Sequence, residues 1–125
     1  MKFKVGQRQV LIPPGDYRAR LIEVKASKFV AGRLGLHLTF EVTDGQLQGE
    51  KASAFLNAHY ETFSSHSKLY QWFEAAMGHP PDSGEIDLDL LMTRVLVVQI
   101  DTKESRKTKN LFSNVVAIKG TYCEL

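Results

Sequence analysis

The stretch LHLTFEVTDGQLQGEKASAFLNAH, residues 36–59, alternates apolar and polar residues, breaks at a glycine-flanked turn, and alternates again. Successive side chains on an extended chain point to opposite faces, so this period of two predicts two strands. The first puts Leu36, Leu38, Phe40 and Val42 inward and His37, Thr39 and Glu41 outward. Asp44-Gly45 followed by Gly49 is hairpin-loop chemistry. The second strand, about Glu50 to His59, puts Ala52, Ala54, Leu56 and Ala58 inward and leaves Lys51, Ser53, Phe55, Asn57 and His59 outward. Small inward residues opposite large ones suit the narrow interior of a small barrel.

The flanking sequence supplies three more strands and a helix. IPPGDY, residues 12–17, reads as a turn: two prolines remove backbone donors and Gly15 allows the bend. In YRARLIEVKASKF, residues 17–29, Tyr17, Ala19 and Leu21 share a face, and the apolar set then moves to Ile22, Val24 and Ala26. A phase slip of one residue is the mark of a bulge in a long strand, with Arg18, Arg20, Lys25 and Phe29 facing outward. VAGRLG, residues 30–35, reads as a loop. Leu69, Trp72, Phe73, Ala76 and Met77 lie at helical spacing within 65–77, with Ser64, Ser65 and Ser67 as N-cap candidates and Gly78, Pro80 and Pro81 as the stop. SGEIDLDLL, residues 83–91, reads as a loop with one helical turn. A fourth strand from Thr93 to Asp101 is apolar on both faces. KESRKTKN, residues 103–110, is a basic loop, and Leu111 to Lys119 forms the fifth strand.

The expected fold is therefore mainly β: a five-stranded Greek-key OB-fold barrel with one α-helix between strands three and four. At 125 residues and 43% hydrophobic content the chain suits one domain over residues 1–125. Residues 1–12 are either flexible or an extra edge strand carrying Phe3 and Val5. No apolar run is long enough to cross a bilayer, and MKFKVGQRQV lacks a secretory core, so the expected location is cytoplasmic. The lone Cys123 excludes an internal disulfide.

The net charge of +2 conceals an asymmetry. Residues 1–33 carry eight Lys/Arg against two acids, 34–93 two against nine, and 94–125 six against three. Such ends attract a polyanion if the fold brings them together. Ligands of the OB architecture lie across strands two and three, between the loops joining strands one to two and four to five. Here those loops, 28–34 and 102–110, carry Lys28, Arg33, Lys103, Arg106, Lys107 and Lys109, beside His37, Lys51, Phe55, Asn57 and His59.

Phe55 has two readings, a stacking platform for a base or a core residue beneath the helix or a terminal segment. Tyr60 and Phe63 either extend the platform or pack the helix. The basic loop either contacts phosphates or is only solvated, and Arg18, Arg20 and Lys25 either extend a basic track or protect an edge strand. The histidines His37, His59, His66 and His79 lack zinc-site spacing. Asp87 and Asp89 have no partners for two-carboxylate chemistry, and no nucleophile or phosphate-loop motif occurs. The chain is thus expected to be a non-enzyme without metal or cofactor.

IPPGDYRARLIEV, LHLTFEVTDGQLQGEK, the helix ending in AAMG, LDLLMTRVLVVQI and NVVAIKG together resemble a family of small domains from phages and mobile elements. These are regarded as OB-fold single-stranded DNA-binding proteins. The resemblance spans most of residues 12–120 and rests on turn chemistry, best seen in FEVTDGQLQG. Where relatives often have glycine before the fourth strand, this chain has Met92-Thr93. The resemblance implies single-stranded DNA, or RNA, as ligand in DNA replication or recombination, with replication proteins as partners and self-assembly open. The alternative is a protein-interaction or assembly module on the same barrel.

Overall fold

A computed structural model describes residues 11–28, 33–59, 68–81, 86–105 and 109–122, except the side chains of 27, 28, 33, 34 and 57–59. The fold is mainly β. Its strands are β1 (Gly15–Lys28), β2 (Arg33–Val42), β3 (Lys51–His59), β4 (Leu96–Glu104) and β5 (Leu111–Thr121). The helices are α1 (Lys68–Met77) and α2 (Leu88–Met92). The five strands close into a ring in the order β1-β2-β3-β5-β4, with β4 returning to β1.

Strand β1 makes the closure possible because it serves two neighbours. Gly15 to Ala19 pair with β4, Ala19 to Lys28 pair with β2, and Ala19 faces both Leu96 and Val42. The register shifts between Leu21 and Glu23, where the phase slip predicts the bulge. An unpaired extra residue there bends the strand and raises its twist, which lets one strand turn the corner of the ring. Past the bulge Val24 pairs with buried Leu38 and Ala26 with buried Leu36, as the shifted phase predicts, and half-buried Val24 packs on the core; Ile22, at the bulge itself, has no partner in β2. Ala26 is exposed, and there β1 leaves the packed interior.

The hairpin follows its alternation. Leu36, Leu38, Phe40, Val42, Ala52, Ala54 and Leu56 are buried, and Phe40 lies opposite Ala52 and Leu38 opposite Ala54, large against small. Burying each large apolar side chain contributes about 1.5–3 kcal/mol. Gly49 donates to the Val42 carbonyl and Val42 to that of Glu50, closing the turn between β2 and β3.

Two plugs close the interior. Leu69, Trp72, Phe73 and Ala76 are the buried face of α1, and the Trp72 ring meets Phe40 edge-on at 6.4 Å. The Thr121 hydroxyl donates to the Ala76 carbonyl, fixing the helix to the end of β5. Gly78, at φ 79°, terminates α1 by donating to the Glu74 carbonyl, a left-handed conformation that favours glycine. Near the start of β5, fully buried Ile12 donates its N–H to the Ser113 hydroxyl at 2.9 Å.

Several boundaries differ from expectation. Arg33, Leu34 and Gly35, expected in a loop, belong to β2, because β1 and β3 pair with this segment from both sides. Among the described residues there are two helices, the second lying at the helical turn expected within 83–91: Asp87 caps α2 by accepting from the Asp89 N–H, and the Thr93 hydroxyl closes it on the Leu90 carbonyl. Strand β4 accordingly begins at Leu96 rather than Thr93. It runs on to Glu104, so Lys103 lies in a strand and not in the basic loop. Phe3, Val5, Phe29, Tyr60, Phe63, the three serine caps, His66 and Cys123 lie outside the described residues.

Candidate nucleic-acid interface

Inward Ala54 and Leu56 force Phe55 outward, where it is 60% exposed. The helix does not cover it; α1 packs on β5. Directly opposite on β2, His37 stacks on the Phe55 ring with centroids 4.4 Å apart and planes 13° from parallel. On the other side Phe112 of β5 meets the same ring edge-on at 5.9 Å. The imidazole is held by a hydrogen bond between Nε2 and the Ser53 hydroxyl at 3.1 Å. Aromatic pairs of this kind contribute about 0.5–1.5 kcal/mol beyond area burial, so the rings are held in place before any ligand arrives.

Residues paired directly across a sheet share a face, so the cluster extends sideways to a cation on each flank. Lys25 of β1 pairs with His37, and Lys103 of β4 pairs with Phe112. Lys25, His37 and Phe55 lie side by side on one side of the Ser53–Asn114 pairing, and Phe112 with Lys103 lies on the other, because β3 and β5 run parallel; the Phe55 and Phe112 rings meet across it. One cation from each basic end of the sequence thus reaches a shared aromatic cluster. Lys25 also pairs with Glu23 at 3.1 Å, and both side chains are open to solvent. Exposed pairs of this type are worth about 0–1 kcal/mol, so a phosphate competes readily for the ammonium.

A polar row runs between these two groups. Glu23 pairs with Thr39, Thr39 with Ser53, Ser53 with Asn114, and Asn114 with Asp101. The Ser53–Asn114 pairing is the bridge by which β3 and β5 close the ring. Thr39, Ser53 and Asn114 are half-buried; Glu23 and Asp101 are exposed.

The remaining predicted residues divide. Lys51 is exposed on the same face but pairs with Glu41, which faces Arg20, and Ser53 separates it from Phe55. Lys109, at φ 57°, donates its backbone N–H to the Ser105 carbonyl in the loop after β4. Lys28 ends β1 and Arg33 begins β2, while Asn57 and His59 lie in β3; their side chains, and all of Arg106 and Lys107, are outside the described residues.

The track through Arg18 and Arg20 does not reach the aromatic cluster. Arg18 binds Asp44 at 2.9 Å and lies over the Tyr122 ring at 3.7 Å, and Arg20 lines a shallow depression with Glu41, Thr43 and Val95. Sequence reasoning missed Phe112, Asn114 and Asp101. Inward Val115 would have placed Phe112 and Asn114 outward. Nothing local shows that β5 lies beside β3.

Among the described residues no group of three or more His, Cys, Asp or Glu could hold a metal ion, and no helix is long and apolar enough to cross a membrane. No protein-family model matches the chain, and neither does any curated protein.

Proposed function

We propose that this protein is a non-enzymatic OB-fold single-stranded DNA-binding protein, acting in replication or recombination of a phage or mobile element. One observation carries the reading: exposed Phe55, clasped by His37 and Phe112, with Lys25 beside His37 and Lys103 beside Phe112. Every base has a π face, so an aromatic strip accepts any sequence, and each stacked base contributes about 1–3 kcal/mol. Lysines on both flanks neutralise phosphates. The strand order, with a helix between the third and fourth strands, favours the OB reading, in which this face is the ligand face. The sequence resemblance to phage single-strand binders points to the same ligand class.

A duplex hides its base faces, so the strip discriminates against it. Fluorescence anisotropy with a labelled oligonucleotide of about thirty bases, several OB site sizes long, tests this. Tighter binding of the single strand than of its duplex, weakening as salt rises, is expected. Equal affinity for both forms, or no binding at low salt, overturns the proposal and redirects the search to a protein partner.

A further inference from the structure

Strand β1 changes neighbours at Ala19, and a trough opens over that corner. Two open depressions of about 520 and 510 Å³ share Thr43, just after β2, and Val95, just before β4, so they run into one another. Three arginines line them: Arg20 in the first, Arg18 and Arg94 in the second. The trough stands apart from the aromatic cluster, because along β1 the bulge and Glu23 separate Arg20 from Lys25.

The three guanidiniums differ in what already holds them. Arg18 is fixed by Asp44 at 2.9 Å and by the Tyr122 ring at 3.7 Å. The Arg20 and Arg94 guanidiniums have no ion pair or hydrogen bond among the described residues, and both residues are exposed. A guanidinium presents its donors in a rigid fork that matches carboxylate or phosphate, so two open forks in one trough call for an anionic ligand. The rest of the lining separates the two anions. Glu41 and Asp44 stand among the arginines and repel a uniformly charged phosphodiester chain, whereas a peptide brings backbone donors and neutral side chains to meet them. Tyr122 already carries Arg18 over its ring, the place that a stacked base would take. Half-buried Val95 offers apolar wall between the arginines.

We propose that this trough docks an acidic peptide segment of a partner protein, with Arg20 and Arg94 each holding a carboxylate and Val95 meeting an apolar side chain between them. The proposal stands independently of the single-strand reading. It uses no residue of the aromatic cluster, so the protein holds a nucleic acid and a partner at the same time.

The probe is a short labelled peptide alternating Glu and Leu, titrated with the full chain by anisotropy beside the same peptide with Gln in place of Glu. The Glu peptide should bind, weakening as salt rises, and the Gln peptide should not. Arg20→Ala and Arg94→Ala should each weaken the Glu peptide by about threefold to fivefold, the upper range for one solvent-exposed ion pair. Arg94→Lys should recover only part of the loss, since an ammonium has no fork. The double variant Arg20→Ala, Arg94→Ala should keep the wild-type affinity for oligo-dT and the wild-type mass by light scattering.

Failure of the wild-type protein to bind the Glu peptide, or equal binding of the Glu and Gln peptides, overturns the proposal and leaves the single-strand reading standing. Equal binding of the Glu peptide by wild type and double variant does the same. A double variant that loses oligo-dT affinity gives the trough to nucleic acid, and one that loses self-association gives it to a second copy of the chain; either result overturns the peptide assignment.

Discussion

Phe55 and Ser113 show how two residues on adjoining strands of one ring do opposite work. Phe55 is held in the open by its neighbours' inward preference, so its removal should weaken binding while costing folding only its ring contacts with His37 and Phe112. Ser113 is the one polar residue buried among the described ones, and it accepts the Ile12 N–H. Ser113→Ala leaves that donor without a partner inside the ring. A loss of about 1–3 kcal/mol in unfolding free energy is expected, read from urea denaturation with an unchanged slope. Phe40, 1% exposed and against Trp72, should cost more: Phe40→Ala opens a cavity beneath α1 and is expected to destabilise by about 3–5 kcal/mol.

Among the elements, the β2–β3 hairpin and the bulge in β1 were legible in the sequence because both depend on local alternation. His37 and Phe55 face outward for the same reason, and their pairing follows from the hairpin register. Strand β4 was less legible. The run of Val95 to Val98 carries no phase, so nothing in it marks where the strand starts, and capping by Asp87 and Thr93 gave the preceding residues to α2. The β3–β5 contact was not legible at all, since residues 53 and 114 are brought together only by closure of the whole ring. Gly78 is a local feature with a clear test. At φ 79° an alanine adopts the conformation at a cost of about 1 kcal/mol, so Gly78→Ala should lower the thermal midpoint by several degrees in a domain of this size.

On the scale of the molecule, ring closure turns an unremarkable net charge into a usable field. The basic N-terminal and C-terminal regions are far apart in sequence, yet Lys25 and Lys103 flank the same aromatic cluster, one beside His37 and the other beside Phe112. Each phosphate neutralised on a single strand contributes about 0.7 to the slope of log affinity against log salt. Lys25→Ala and Lys103→Ala are therefore each expected to lower that slope by about this amount, measured by repeating the titration across a salt series. Arg18, held by Asp44 and Tyr122 away from that cluster, should leave the slope unchanged when replaced by alanine.

The most direct measurement is the affinity of wild type and Phe55→Ala for the same labelled single strand, side by side, with unfolding midpoints as control. Stacking on Phe55 predicts a loss of about 1–3 kcal/mol in binding by a variant that is still folded at the assay temperature. Equal affinity of the two proteins would contradict the central claim that this exposed aromatic cluster is where a single strand is held.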